Sequence, residues 1–184
     1  MKNYNSQMKT FIFLISIIFF LPYLNAAQEV KSNFNSDSLI SAARQLIAMT
    51  PYCTLITLDT TGHPDARTME PFSPDSNMVI WLGTNLNSGK VKQIKRDSRV
   101  TLFYASPNAS GYVVILGNAY IIDDSSKKQV YWKNSWDQFY SEARENYTLI
   151  KVVPHKLKIL DYTKGIVGDS KTWTVPLVEF DIEE

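Results

Sequence analysis

The residues best placed to do chemistry fall in one short stretch, Thr84-Asn85-Leu86-Asn87-Ser88-Gly89-Lys90. It follows the apolar run Trp81-Leu82-Gly83. It leads into Lys90 to Arg96, where Val91 and Ile94 share one helical face. A helix that opens at about Ser88 presents unpaired backbone N–H groups and a partial positive charge. Hydroxyls at Thr84 and Ser88 can donate to phosphate oxygens, and Lys90 adds a full charge, so the implied chemistry is anion binding. The competing reading is structural: Ser88 caps the helix and Lys90 points to water. Arg67, in the run Ala66-Arg67-Thr68-Met69, favours the first. If its strand neighbours the third strand, Arg67 and Lys90 form a two-point clamp on one phosphate. Its own structural reading is an arginine on a solvated strand face.

Other reactive side chains give less. Cys53 is the only cysteine, so no intrachain disulfide forms. Followed by Thr54-Leu55-Ile56, it reads as a small buried hydrophobe. His63 precedes a proline and His155 follows one, with no third ligand at metal spacing. No Gly-x-Ser-x-Gly elbow or Ser-His-Asp order supports a hydrolase. Asn108-Ala109-Ser110 and Asn146-Tyr147-Thr148 match the glycosylation sequon.

The elements that must position this stretch are mostly strands. The spacing of Leu39, Ile40, Ala43, Leu46 and Ile47 predicts an amphipathic helix over 37–49, capped at Ser36-Asp37 and ended by Pro51. Strands are predicted at Cys53–Leu58, through Ala66, Thr68 and Glu70, and at Met78–Leu82, Val100–Ala105 and Tyr112–Ile122. A sixth is predicted over Tyr147–Tyr162, bent at Pro154, and a last one at Trp173–Phe180. Asp59-Thr60-Thr61-Gly62 and Pro107-Asn108-Ala109-Ser110-Gly111 are turn chemistry. Residues 125–145 read as helical, with Trp132, Trp136, Phe139 and Tyr140 supplying core or dimer packing. Short connections leave no room for crossover helices. The expected class is therefore mainly β, an antiparallel barrel with flanking helices.

Length and composition suit one such domain. The chain has 184 residues, 45% hydrophobic, and a formal charge of +1, with no polybasic arm of the kind nucleic-acid binding uses. Its start reads differently. Lys2 and Lys9 precede the apolar run Phe11–Leu21, then Pro22, Ala26 and Ala27, which is the order of a secretory signal peptide. The run is short for a membrane span, though an uncleaved anchor is the alternative. The expected organisation is a signal peptide at 1–26, a polar lead-in at 27–36 and the barrel domain at 37–184. The mature protein would then be periplasmic or secreted, with no membrane segment. Removal of Lys2 and Lys9 leaves 17 basic against 18 acidic residues.

The ordered set Arg67-Thr68-Met69, Thr84 to Lys90, Asp97-Ser98-Arg99-Val100 and Tyr112-Val113-Val114-Ile115-Leu116-Gly117 resembles the pyridoxamine 5′-phosphate oxidase family, closest to its general-stress-protein branch. The resemblance runs through about residues 50–165. It implies a split β-barrel that binds FMN. Arg67, Ser88 and Lys90 would contact the flavin phosphate, Thr84 the flavin or its ribityl chain, and backbone around Thr68 and Met69 the isoalloxazine ring. It also implies a homodimer with flavins at the interface, and an FMN-dependent oxidoreductase. Some split-barrel relatives bind haem instead, and His155 is the candidate ligand for that alternative. The sequence departs from the true oxidases at Gly89 and Phe72, where they carry basic residues, and near Tyr112, where they carry a glutamine. Their C-terminal substrate region is not recognisable here; Trp173 is a candidate flavin-stacking residue in unmatched surroundings. The implied clamp is thinner, which argues against pyridoxamine phosphate as substrate and leaves a non-catalytic flavin- or haem-binding role as the alternative.

Overall fold

The computed structural model describes residues 34–140 and 144–181. The expected signal peptide and residues 27–33 of the lead-in lie outside the described residues. Leu39, Ala42, Ala43, Leu46 and Ile47 recur at helical spacing and bury one face of α1 (Ser36–Ala48). Its cap lies one residue before the predicted pair: Asn35 Oδ1 accepts from Ser38 N at 2.9 Å.

Seven strands follow: β1 (Cys53–Leu58), β2 (Pro64–Met69), β3 (Ile80–Asn85), β4 (Arg99–Ala105), β5 (Gly111–Ile122), β6 (Tyr147–Asp161) and β7 (Leu177–Glu179). Helix α2 (Gly89–Arg96) joins β3 to β4. In β1 and β5 buried and half-buried residues alternate, as a strand with one face on a core requires. The β1–β2 turn is held by Asp59, whose Oδ1 accepts from the backbone N of Thr61 at 2.8 Å and of His63 at 2.9 Å. Gly62 supplies the positive φ of 85° that this turn needs. β3 begins two residues later than its apolar run predicts. A turn held by Asp75 Oδ1, which accepts from Asn77 N and Val79 N, puts Met78 at φ 60°.

All pairings are antiparallel, in the order β2-β1-β4-β5-β6-β3 with β7 on β6. β2 and β3 are thus the two ends of the path and not laddered neighbours. They meet only past the end of β2, where Pro71 bridges Leu82 and Phe72 N donates to the Trp81 carbonyl at 2.9 Å. That contact closes the barrel. β6 carries the expected irregularity at Pro154: Leu116 pairs with Lys156 but Gly117 with Pro154, leaving His155 as an extra residue.

Two predictions are corrected. Residues 125–145 are not one helix but short pieces: α3 (Ser125–Val130), a 3-10 turn at Asn134–Trp136, α4 (Asp137–Tyr140) and a further turn at Arg144–Asn146. Tyr131 to Lys133 break the helix because their side chains pack back on the barrel. The closing strand is only Leu177–Glu179. Trp173 sits in a turn at φ 59° and is 81% exposed.

Two buried layers result. Leu55, Ile80, Leu82, Leu102, Ile115 and Leu157 belong to the barrel interior, roofed by α1. Val79, Trp81, Trp136, Tyr147 and Leu149 form a second cluster outside the barrel, beneath residues 131–140. β3 therefore buries both faces. Among the described residues no helix is long and apolar enough to cross a membrane.

Candidate functional site

The end of β3 is where the two buried layers part. A cleft of about 250 Å³ opens there, lined by Thr68, Met69, Glu70, Gly83, Thr84, Lys90, Trp136 and Tyr140. It draws on the end of β2, the end of β3, the first turn of α2 and the covering segment.

Lys90 reaches back over the turn, and its Nζ donates to Thr84 Oγ1 at 3.1 Å. Thr84 is buried, with its Oγ1 3.5 Å from Ser88 Oγ. Ser88 occupies the cap position of α2, yet its side chain makes no capping hydrogen bond. The Ser88 hydroxyl thus does not cap the helix, and the Lys90 ammonium folds back onto Thr84. No carboxylate stands within ion-pair distance of Lys90 among the described residues. Burial, and then the Arg67 charge, hold its pKa below the ordinary lysine value. A half-buried cation that costs free energy to hold, beside two hydroxyls and a helix start, is a donor set suited to a phosphate monoester.

Arg67 sits beside the cleft in a side-chain network. Its guanidinium does not line the cleft. It is tied to Asp65 at 2.6 Å, Thr57 Oγ1 at 2.6 Å and Gln93 Oε1 at 3.1 Å. Only its charge reaches Lys90.

The opposite wall contains a group that the sequence does not single out. Glu70 accepts from Trp136 Nε1 at 2.7 Å and from Lys133 Nζ at 3.0 Å, and Lys133 also donates to the Pro71 carbonyl at 2.9 Å. The Lys133 ammonium lies 4.8 Å from the centroid of the Phe72 ring. Burial opposes ionisation of Glu70, but the hydrogen bonds from Trp136 and Lys133 outweigh it and hold the carboxyl below its ordinary value. This set pins Trp136 against Gly83. A Cβ on Gly83 would stand 2.7 Å from Trp136 Cη2 and 2.8 Å from Tyr147 Cε2. Glu70 and its two side-chain partners lie more than 60 positions apart, so no local motif announces them. Tyr131, Trp132, Trp136 and Tyr140 pack in the second cluster, and Trp136 and Tyr140 also form the cleft wall.

The pyridoxamine 5′-phosphate oxidase-like family model matches residues 40–167. The chain belongs to this family. Solved structures agree on the fold, an FMN-binding-type split barrel. General Stress Protein 26 from Bacillus anthracis is 22% identical, with a TM-score of 0.61 over 77% of this chain and 98% of that one. A pyridoxamine 5′-phosphate oxidase-related, FMN binding protein from Nostoc punctiforme is 16% identical, with a TM-score of 0.57 over 82% and 99%. A heme binding protein from Mycobacterium smegmatis is 17% identical, with a TM-score of 0.53 over 64% and 52%. No curated protein matches the chain.

Of the residues that the family resemblance singles out, Thr68, Met69, Thr84 and Lys90 line the cleft and Ser88 touches its rim through Thr84. Gly89, where the oxidases carry a basic residue, faces open space. Neither histidine lies on the cleft. His63 sits in the β1–β2 turn, its Nδ1 2.8 Å from Thr61 Oγ1. His155 lies in a second cleft with Ile56, Leu58 and Leu116. Cys53 is buried in the core, and burial pushes its thiol up to about 12.

Proposed function

We propose that this chain is an FMN-binding, oxidoreductase-like protein of its family, acting outside the cytoplasm on an unidentified substrate. The observation that carries the reading is Lys90: a half-buried ammonium with no carboxylate at ion-pair distance among the described residues, resting on Thr84 beside the non-capping hydroxyl of Ser88. These residues fit the phosphate of FMN. Thr68, Met69 and Gly83 offer backbone for a planar ring to lie along, and Trp136 and Tyr140 close the far side. When bound, FMN would supply hydride and electron transfer at its ring. The protein's part is to hold the phosphate, orient the ring and keep water from one face.

The cleft also favours a second reading, a non-catalytic flavin-binding protein on the same barrel. Among the described residues its one lining carboxylate, Glu70, is committed to Lys133 and Trp136 and so is not free to act as an acid or base. Haem is the lesser ligand alternative, because the cleft lining contains no histidine.

A homodimer belongs to the proposal. Thr54, Phe103 and Val114 fall in one cross-strand row of β1, β4 and β5, and Ile56, Thr101 and Leu116 in the next. All are half-buried and alternate with the barrel-facing residues, so they form a continuous, largely apolar outer face.

The test is purification in the presence of FMN. Yellow protein with one quenched flavin per chain is the expected result. Colourless protein with unquenched flavin removes the proposal, and a Soret band in its place would select haem. If bound flavin stays oxidised with reduced nicotinamide and with artificial donors, the non-catalytic reading stands.

A further inference from the structure

Arg67 has the charge for a phosphate clamp but spends it elsewhere. Its Nη1 donates to Thr57 Oγ1 at 2.6 Å and to the Leu55 carbonyl at 3.4 Å. Its Nη2 meets Gln93 Oε1 at 3.1 Å and Asp65 Oδ2 at 2.6 Å. Asp65 and Arg67 are two residues apart on β2 and so share a face. Gln93 closes the ring of contacts. Its Nε2 donates to Asp65 Oδ2 at 2.8 Å, and its Oε1 accepts from Thr57 Oγ1 at 2.6 Å.

This ring lies beside the phosphate-type donors. Gln93 follows Lys90 by three residues on α2, one helical turn along the same side. Lys90 senses both members of the ion pair: after burial, Arg67 lowers its pKa and Asp65 raises it. Asp65 thus pairs with Arg67, and its charge also favours the charged form of Lys90 without contacting it. Arg67 is mostly covered, at 19% exposure of its side chain, while Asp65 is 49% exposed. Of the pair, Asp65 is the one free to swing into solvent.

We infer that Asp65 is an internal competitor for the phosphate subsite: its carboxylate holds the Arg67 guanidinium as a phosphate oxygen would, and a bound phosphate monoester must displace it to gain the second cation. The inference rests on the phosphate reading of Thr84, Ser88 and Lys90. It explains how an arginine in the expected strand can coexist with a one-lysine grip. Carboxylate and phosphate both suit the planar fork of a guanidinium, so the exchange conserves hydrogen bonds and costs mainly the repulsion between the two anions. Asp65 thereby sets how strongly the site prefers a phosphorylated ligand over its uncharged counterpart.

The test compares FMN with riboflavin, which lacks the phosphate, in titrations of the full chain and of Asp65→Asn. The asparagine keeps the volume and can still accept from Gln93. At low salt, where such charges are least screened, FMN affinity should rise on the order of tenfold while riboflavin affinity stays fixed. The gain should vanish when Arg67→Met is added, because the competition runs through that side chain. Thermal melts of each variant show whether it is folded, and Asp65→Ala gives a second route if the asparagine variant is not. Unchanged or weaker FMN binding by a folded Asp65 variant overturns the inference, the weaker result marking Asp65 as a positioning residue instead. A gain that persists without Arg67, or that extends to riboflavin, overturns it too. If neither the wild type nor any variant binds FMN, the FMN reading falls, and this inference with it. If the wild type binds and Asp65→Asn matches it, only the inference falls.

Discussion

Lys90 is the residue on which the site turns. Burial and Arg67 already disfavour its charged form, so its proton leaves at a lower pH than that of an ordinary lysine. A phosphate with a second pKa of about 6 is a dianion throughout the neutral and alkaline range. The grip thus needs protonated Lys90, and FMN affinity should hold through neutral pH, then fall as pH rises through the lowered lysine pKa. Riboflavin measured in parallel removes the flavin ring's own titration from the comparison. Lys90→Arg should push the fall beyond the accessible range, since a guanidinium does not deprotonate there. If the pH profiles of the wild type and Lys90→Arg coincide, the titrating group lies elsewhere.

At the scale of elements, β3 is the hinge between the barrel and its aromatic cover. Gly83 is the point of closest approach: Trp136 and Tyr147 leave no space for a methyl group. Gly83→Ala should destabilise the protein by about 1–3 kcal/mol through overpacking, read as a lower thermal midpoint. It should also weaken flavin binding by moving Trp136. A midpoint equal to wild type would mean that the cover is not seated as described. The same element shows what sequence can and cannot convey. β1, β4 and β5 are legible because alternation in a one-sided strand is a local signal. The turn from Thr84 to Lys90 is legible because its donors are contiguous. The covering segment reads as one helix from its aromatic spacing, but the positions of Trp132 and Trp136 are fixed by Tyr147, Tyr140 and Glu70. Glu70 escapes a sequence reading because its side-chain partners are more than 60 residues away. The adjacency of β2 and β3 is equally hidden, since barrel closure there depends on a single bridge at Pro71 and Leu82.

At the scale of the whole molecule, the proposal is an exported homodimer. The half-buried outer residues Ile56, Phe103, Val114 and Leu116, in two adjacent cross-strand rows, give a sheet face with the apolar character that permanent interfaces share. Native mass spectrometry of protein expressed from the full-length gene should show a dimer whose chains begin after Ala26 or Ala27. Monomers, or chains that retain Lys2 and Lys9, would contradict the respective part. The central claim remains that the turn from Thr84 to Lys90 grips a flavin phosphate. Its most direct test is titration of wild type and Lys90→Ala with FMN and with riboflavin. Loss of a charge-assisted contact should cost about 1.5–3 kcal/mol, or roughly ten- to hundredfold in FMN affinity, with riboflavin unaffected. Equal FMN affinity in the two proteins would contradict it.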